Sequence, residues 1–397
     1  MNEGEQAGAS TDLAAACSRA EFLRRGAAGL VAAAALGASP HRAASAATPA
    51  TPPPSPGEPP LITAPSTTPA GTYDLRDFAR WIVEEFEPSV RLPGPAGSYA
   101  RQVGAAEVEL YGVADMACVL YTIGRLNPTE QQRAEWAASL QSFQNADTGY
   151  IVEKSPTHSG LHNTAFAMGA MQLLEARPKH PLKFAEEFRD VAAFLATLDW
   201  KDRVYADSHR GAGVGSVYAL APELRSGRWF DAYFAACDAA FDQRNGMMGQ
   251  GKPAGGDSDQ IGGTFHYQFL YEHFNRRMPF GPRRIDAVIG LQQPDGYWHA
   301  TNHLWLTLDA IYMMTRTLRY APHRGDDVRG SIERAMDALM NDVYGAEGRK
   351  KLAGGKMAVH SLTSAVSIAA EAQQFLGADR VITDWPLHLV LDRRPFI

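Results

Sequence analysis

The chain contains the stretch Ala165-Phe-Ala-Met-Gly-Ala-Met-Gln-Leu-Leu174, which is apolar nearly all round and rich in small residues. A second stretch of the same kind runs Gly211-Ala-Gly-Val-Gly-Ser-Val-Tyr-Ala-Leu220. Between them, Phe184-Ala-Glu-Glu-Phe-Arg-Asp-Val-Ala-Ala-Phe194 has apolar residues at spacings of three and four. The first pattern predicts helices that are buried on most sides, and the second predicts helices with one face in water.

The two kinds of helix alternate from Thr72 onward. The pattern predicts twelve helices, over residues 72–86, 104–125, 129–143, 160–175, 183–197, 212–222, 228–241, 262–275, 281–293, 302–319, 328–341 and 356–376. Each kind recurs about every fifty residues, a period typical of stacked helix pairs. Six pairs can form an open solenoid or a closed ring, and we favour closure because no terminal repeat shows the polar outer face of a capping repeat. We therefore predict an all-α, six-hairpin (α/α)6 toroid.

The N-terminal residues differ in composition from the rest of the chain. Residues 1–47 contain arginines, a short apolar run and then small residues, which is the pattern of an export signal. Ser18-Arg-Ala-Glu-Phe-Leu-Arg24 makes this signal Tat-like, with Ala20 in place of the second arginine. Residues 48–71 form a Pro/Ala/Thr-rich linker, which leaves residues 72–397 as the toroid domain. We expect an exported protein without a stable membrane span once the signal is removed.

The composition excludes several classes of function. With 45% apolar residues, 21% charged residues and a net charge of -6, the chain is globular. It lacks the basic patch that would point to nucleic acid as a partner. Its three cysteines, Cys17, Cys118 and Cys237, form no CxxC motif, which excludes a zinc ribbon.

Two kinds of motif carry a resemblance to known toroids. Gln292-Gln-Pro-Asp-Gly-Tyr-Trp298 fits the QxxxGxW signature of terpenoid cyclases, and Gln144-Asn-Ala-Asp-Thr-Gly-Tyr150 is a looser copy. Further segments resemble a bacterial family of α/α-toroid proteins to which no activity is assigned. They are Pro156–His162, Asp207–Gly213, Gly262–Tyr267 and Pro386–Ile397. The resemblance implies the fold and carries no catalytic residue with it.

The toroid would gather chemically active residues in a funnel at one end. The loops that enter the inner helices meet there, and the helix N-termini direct partial positive charge toward it. Seven of the twelve histidines lie at five consecutive starts of inner helices. Imidazoles, carboxylates and aromatic rings together suit acid–base chemistry on a polar substrate. The candidate catalytic residues are Asp207, His209, His266, Glu107 and Asp259, and the candidate substrate-binding residues are His158, His162, Arg210, Tyr267, Trp298 and His303.

Several of these residues also have ordinary structural interpretations. His158 and His162 are four apart and could ligate a metal, but such pairs more often make local hydrogen bonds, so no cofactor is assigned. Asp207 or Ser208 could cap the third inner helix, and His266 could be a hydrogen-bonded core histidine. Asp309 is the most unexpected residue, because a carboxyl group in an apolar helix needs a partner or a shifted pKa.

The leading hypothesis is an exported carbohydrate-active enzyme, either a glycoside hydrolase or a polysaccharide lyase, that acts on a poly- or oligosaccharide. A hydrolase needs two carboxyl groups at the scissile bond, and a lyase needs a base and a group that neutralises the sugar carboxylate. The carboxyl candidates are Glu107, Asp207, Asp257 and Asp259. A non-catalytic glycan- or peptide-binding toroid is one alternative. A terpenoid-cyclase-like enzyme is another, although Asp257-Ser-Asp-Gln260 only partly matches the acidic motif of those enzymes.

Overall fold

A computed structural model describes residues 71–153, 158–249, 257–301 and 303–393, and for Asp257, Ser258 and His303 it describes the backbone alone. The predicted export signal and all but the last residue of the predicted linker lie outside these ranges. Within them the chain is all-α and contains only two strands, β1 (Tyr73–Asp74) and β2 (Val381–Ile382). No helix in the described ranges has the length and apolar character that crossing a membrane requires.

The helices alternate along the chain as the periodicity predicts. In chain order they are α1 (Arg76–Trp81), α2 (Glu87–Val90), α3 (Leu110–Thr122), α4 (Glu130–Gln141), α5 (Gly160–Leu173), α6 (Val191–Leu195), α7 (Val204–Leu220), α8 (Gly227–Ala239), α9 (Asp257–His273), α10 (Gly281–Leu291), α11 (His303–Leu318), α12 (Gly325–Leu339), α13 (Ala346–Ala353), α14 (Ala358–Leu376) and α15 (Val390–Arg393). A π-helical segment, Ile82–Phe86, joins α1 to α2, and a second, Met340–Tyr344, follows α12. Two 3₁₀ segments, Lys183–Phe188 and Pro222–Leu224, precede α6 and α8.

Six helices, which we call the inner helices, are buried on nearly every side: α3, α5, α7, α9, α11 and α14. Each of them packs against the next in this order, and α14 packs against α3. Small residues allow the close approach that this packing requires. A Cβ atom added to Gly213 of α7 would lie 3.0 Å from the backbone of Leu161 in α5, and one on Gly263 of α9 would lie 3.0 Å from the backbone of Val204 in α7.

The helices between the inner ones pack against them from the outside and keep a polar face. A glycine turn leads from each of three outer helices to the following inner helix, with Gly149, Gly246 and Gly296 all at positive φ. The Gln292 side chain donates to the carbonyls of Gly296 and Ser331 at 2.9 and 2.8 Å. Gln144 donates in the same way to the carbonyls of Gly149 and His180. The QxxxGxW match and its looser copy therefore tie each turn to the next outer segment.

The two ends of the domain are joined. Strands β1 and β2 pair in parallel, and the Tyr73 amide donates to the Arg380 carbonyl at 2.7 Å. The chain then runs under the C-terminal ends of the inner helices. The His388 amide donates to the Thr122 carbonyl at 2.8 Å, and Asp392 pairs with Arg316 at 3.0 Å. This segment closes the end of the helix assembly at which the inner helices finish.

Four of the predicted helices have the wrong boundaries. Helix α7 begins at Val204 instead of residue 212, and α9 begins at Asp257 instead of residue 262. Both helices start with a polar run, and the apolar pattern used for the prediction does not distinguish such a run from a loop. Helix α3 begins at Leu110 instead of residue 104, because the polar residues before it are irregular. The predicted helix 183–197 is a 3₁₀ segment followed by the short α6, interrupted at Asp190, whose side chain caps α6.

Candidate functional site

Five histidines meet at the end where the inner helices begin. This histidine cluster consists of His158, His162, His209, His266 and His360. Its first two rings are stacked, with centroids 4.3 Å apart. The His209 ring lies at the centre of the cluster, 5.1 Å from His158, 4.8 Å from His162 and 4.8 Å from His266. The His360 ring lies 6.4 Å from His158. The structure therefore brings together the four histidines that the sequence put forward at these helix starts.

Four of the histidines lie at or near the start of an inner helix, and the fifth, His266, lies deeper in its helix. Ser159 is the N-cap of α5 and accepts the His162 amide at 3.3 Å, which fixes His158 just before the helix and His162 in its first turn. His209 lies in the second turn of α7, His266 near the middle of α9 and His360 in the first turn of α14. The histidines therefore lie at different distances from the helix N-termini.

The Tyr111 hydroxyl fixes the orientation of two of the rings. It lies 2.8 Å from His158 Nδ1, 3.1 Å from His162 Nδ1 and 3.1 Å from Asn163 Oδ1. A phenol has one hydrogen to donate and two lone pairs that accept. The amide oxygen of Asn163 can only accept, so the phenol donates to it and accepts N–H from both imidazoles. Both rings are thereby assigned the Nδ1–H tautomer, with the lone pair on Nε2.

His266 is oriented in a similar way. The Ser208 hydroxyl donates to the Tyr205 carbonyl at 2.5 Å and lies 2.8 Å from His266 Nδ1. Since the single hydroxyl hydrogen is already donated, the serine oxygen accepts from the imidazole. His266 has 6% of its surface exposed. It is therefore both a hydrogen-bonded buried histidine and a member of the cluster.

Burial keeps four of the five rings, those of His158, His162, His209 and His266, uncharged. Desolvation lowers the pKa of His158 to about 4, with the nearby His360 and Arg101 adding to the effect. Desolvation also lowers the pKa of His266 to about 3 and holds the pKa of His162 and of His209 well below the ordinary value. Neighbouring imidazoles push in the same direction, because two of them cannot be charged side by side. At neutral pH these four rings are neutral and their lone pairs are available.

An Asp–His pair lies beside the cluster. His360 Nδ1 is 3.0 Å from Asp115 Oδ2, and Asp115 is fully buried. A carboxylate that accepts Nδ1–H leaves the lone pair on Nε2, as in catalytic bases. The Trp305 ring covers the imidazole at a centroid distance of 4.2 Å. Sequence reasoning missed Asp115, although a carboxylate in the apolar run 110–122 is the same signal that singled out Asp309.

Asp309 is a buried acid on α11, with 3% of its surface exposed. Within the described ranges it makes neither a hydrogen bond nor an ion pair, and desolvation raises its pKa well above the ordinary value. One carboxyl oxygen lies 3.3 Å from where a Cβ on Gly262 would be. Both Asp309 and Asp259 raise the pKa of Tyr205, so both carboxyl groups lie near that phenol. Burial also raises the pKa of the half-buried Asp259.

Arg101 is a cation near the cluster. It pairs with Glu109 at 3.2 Å and with Glu153 at 3.6 Å, and Glu153 also accepts the Tyr111 amide at 3.3 Å. Its Nε and Nη1 are buried and make no hydrogen bond with any residue that the structure describes. No pattern in the sequence pointed to Arg101, because it lies in an irregular segment before α3.

Several predicted site residues lie elsewhere. Asp207 accepts the Asp199 amide at 2.8 Å and pairs weakly with Arg203 and Arg210, so it supports a loop outside the cluster. It does not cap α7 either, because that helix begins at Val204. The Arg210 guanidinium lies over the Phe194 ring. The catalytic role predicted for Asp207 and the binding role predicted for Arg210 therefore lose their geometric basis.

Of the remaining predicted residues, two are buried in the core and one is exposed in a loop. Tyr267 is fully buried against Trp200 and faces away from the cluster. Trp298 is 2% exposed and donates its indole N–H to the Val288 carbonyl at 2.7 Å, so it supports the core. Glu107 is exposed in the loop before α3. The side chains of His303 and Asp257 lie outside the described residues.

One subset of the cluster lies close enough together that it could hold a metal ion. His158, His162 and His209 each offer one ring nitrogen, and the three nitrogens lie within 4.8 Å of one another. The predicted pair of histidines thus gains a third member. No family model, curated protein or solved structure matches this chain, so what the site can do follows from its own residues.

Proposed function

We propose that this protein is an exported polysaccharide lyase built on an (α/α)6 toroid, and that it cleaves a uronate-containing glycan. The cyclic order of contacts among the six inner helices supports the toroid. The single observation that carries the reaction is the Asp115–His360 pair next to the neutral histidines. It supplies an oriented base in a site that two of the four carboxylates put forward for hydrolysis, Glu107 and Asp207, do not enter.

The reaction is a β-elimination. The His360 imidazole takes the proton from the carbon next to the sugar carboxylate. The electron pair left behind forms a carbon–carbon double bond, and the adjacent glycosidic carbon–oxygen bond breaks. The neutral carboxyl group of Asp309 donates its proton to the leaving oxygen, a role that suits a buried acid with a raised pKa. Arg101 and the neutral imidazoles bind the sugar carboxylate, which stabilises the charge that develops there.

One observation favours a glycoside hydrolase as the second candidate. Asp259 and Asp309 both face Tyr205, and burial raises the pKa of each. Two carboxyl groups on either side of a bond are what hydrolysis requires. A binding module would need neither an oriented base nor a buried acid. A terpenoid cyclase would need an apolar chamber, which this histidine-lined site does not resemble.

The experiment offers the full-length protein a panel of uronate-containing polysaccharides together with neutral glucans. Ultraviolet absorbance reports the new double bond, and a reducing-end assay reports any cleavage. A lyase raises both signals on an acidic glycan, whereas a hydrolase raises reducing ends alone. Tight binding with neither signal would overturn the enzyme and leave the binding module.

A matched pair of variants tests the base. We expect His360→Ala to lower kcat/KM by about 100-fold to 10,000-fold, the usual range for loss of a general base. His323 lies on the surface and pairs with Asp286 at 2.8 Å, so His323→Ala should leave the rate unchanged. Equal rates for both variants would remove His360 from the mechanism.

Export by residues 1–47 is part of the proposal. The Arg-rich start, the short apolar run and the small residues that follow support it. Expression in a bacterial host followed by mass spectrometry of the secreted protein would locate the processing site. A chain that stays unprocessed in the cytoplasm would contradict export.

A further inference from the structure

Three rings of the histidine cluster converge from two inner helices. His158 and His162 stack at the start of α5, and His209 of α7 meets their edges at interplanar angles of 71° and 70°. One nitrogen from each ring lies within 4.8 Å of the other two. Nitrogen ligands of one tetrahedral zinc lie about 3.3 Å apart, so the rings need to close by roughly 1.5 Å at most. Rotation about the side-chain bonds can supply a movement of that size.

Hydrogen bonds around the rings match the outer shell of a metal site. Metal-binding histidines usually donate their second ring N–H to an oxygen, which fixes the tautomer and directs the lone pair. The Tyr111 hydroxyl accepts from Nδ1 of both His158 and His162, and Asn163 in turn accepts from Tyr111. One buried phenol therefore orients two rings at once, which a core-filling tyrosine has no need to do.

His209 completes the set differently. Among the described residues no group makes a hydrogen bond with its ring, and it is held by ring contacts with Tyr205 and the other histidines. It is also partly exposed, so it can turn either nitrogen toward an ion. A ligand that must move is best placed on a ring that no hydrogen bond restrains.

We propose that His158, His162 and His209 bind one zinc ion at the end of the inner helices. Three imidazole ligands are the usual set of a catalytic zinc, whose fourth position stays open for water or substrate. Imidazole suits zinc better than calcium or magnesium, which prefer oxygen. Such an ion would also attract an acidic glycan, but the inference rests on the ring geometry and not on the proposed function.

The experiment uses the full chain without a histidine tag, because a tag would itself bind the metal. The protein is stripped with a chelator, dialysed and titrated with zinc by calorimetry, and the bound metal is counted by elemental analysis. We expect one equivalent of zinc. Cobalt in place of zinc should give the visible bands of a four-coordinate nitrogen site.

Variants assign the ligands and the outer shell. His158→Ala and His209→Ala should each weaken zinc binding by about 100-fold or more, and Tyr111→Phe by about 10-fold to 100-fold, since it keeps all three ligands. His323→Ala should bind as the wild type does. Circular dichroism establishes that each variant folds, and His209→Gln replaces His209→Ala if the latter does not. A wild-type protein that binds no equivalent of zinc, or alanine variants that bind as tightly as the wild type, would overturn the site.

The two proposals fail separately. A stripped protein that still forms the double bond on a glycan, and takes up no zinc, overturns the metal site alone. A protein that binds one zinc but acts on no glycan overturns the lyase alone.

Discussion

At the scale of single residues, Asp309 makes the stability of the protein depend on pH. Burial raises its pKa in the folded state, so the folded protein keeps this proton while the unfolded chain releases it above a pH of about 4. The unfolded state therefore binds fewer protons, and the free energy of unfolding falls as pH rises through that window. We expect Asp309→Asn to raise the free energy of unfolding at pH 8 by about 1–3 kcal/mol, and by less at pH 5.

Urea unfolding of both proteins at the two pH values measures the difference. Tyr205, which lies near both Asp309 and Asp259, stays unchanged in the variant, as does Asp259. Asp231→Asn, on the exposed side of α8, serves as the control and should shift stability equally at both pH values. A gain for Asp309→Asn that does not grow with pH would show that the carboxyl group is ionised in the folded protein.

The same scale shows how much of the site the sequence could predict. The fifty-residue period predicts that the helix starts gather at one end of the domain, and the structure brings His158, His162, His209 and His266 together there. It cannot give the direction of a side chain within a helix. Successive helical residues point about 100° apart, which sends His266 into the cluster and Tyr267 away from it. With α7 predicted to begin at residue 212, residues 207–210 are assigned to a loop, and a loop assignment gives no direction for the side chains of Asp207 and Arg210.

At the scale of elements, the three glycine turns explain why the QxxxGxW signature contains a glycine. Gly149 has φ of +86°, and a Cβ there would lie 2.3 Å from the Pro181 carbonyl at the start of the next outer segment. A Cβ on Gly246 would likewise lie 2.5 Å from the Phe280 carbonyl at the start of α10, and one on Gly296 would lie 2.6 Å from the Arg334 carbonyl in α12. The QxxxGxW signature therefore predicts a helix-to-helix turn. Its glutamine hydrogen-bonds the turn to the next outer segment, and its glycine allows the close approach of the two. The third turn has Asp242 in place of the glutamine, and no motif search would have found it.

We expect Gly149→Ala to lower the free energy of unfolding by about 2–4 kcal/mol, from backbone strain at positive φ and a collision with backbone that cannot move. Gly290→Ala is the control, since a Cβ there meets nothing within 4 Å in an exposed turn of α10. That change should be neutral or stabilising by up to about 1 kcal/mol. Chemical denaturation compares the two, and equal effects would mean that the turn relaxes freely.

At the scale of the whole molecule, closure of the helix assembly has consequences that an open solenoid lacks. In a solenoid each repeat contacts its neighbours only, so a loss at one end stays local. Here α14 packs against α3, and the C-terminal segment contacts helices from the beginning and the end of the chain. Trp385 donates its indole N–H to the Ile123 carbonyl, and Asp392 pairs with the buried Arg316. The alternation of helix types predicted the all-α fold that the structure shows, but the pairing of β1 with β2 has too few residues to leave a pattern in the sequence.

A variant that ends at Thr383 should therefore lose stability throughout the molecule. It removes the cover over the C-terminal ends of α3, α9 and α11 and leaves Arg316 with Glu371 alone. We expect the free energy of unfolding to fall by about 2–4 kcal/mol, with hydrogen-exchange protection falling together in all six inner helices because each is held by two neighbours. A variant that ends at Arg393 keeps Trp385, His388 and Asp392 and should behave as the wild type. Loss of protection confined to the residues around Thr122 would instead show that the helices are stabilised pair by pair, as in an open array.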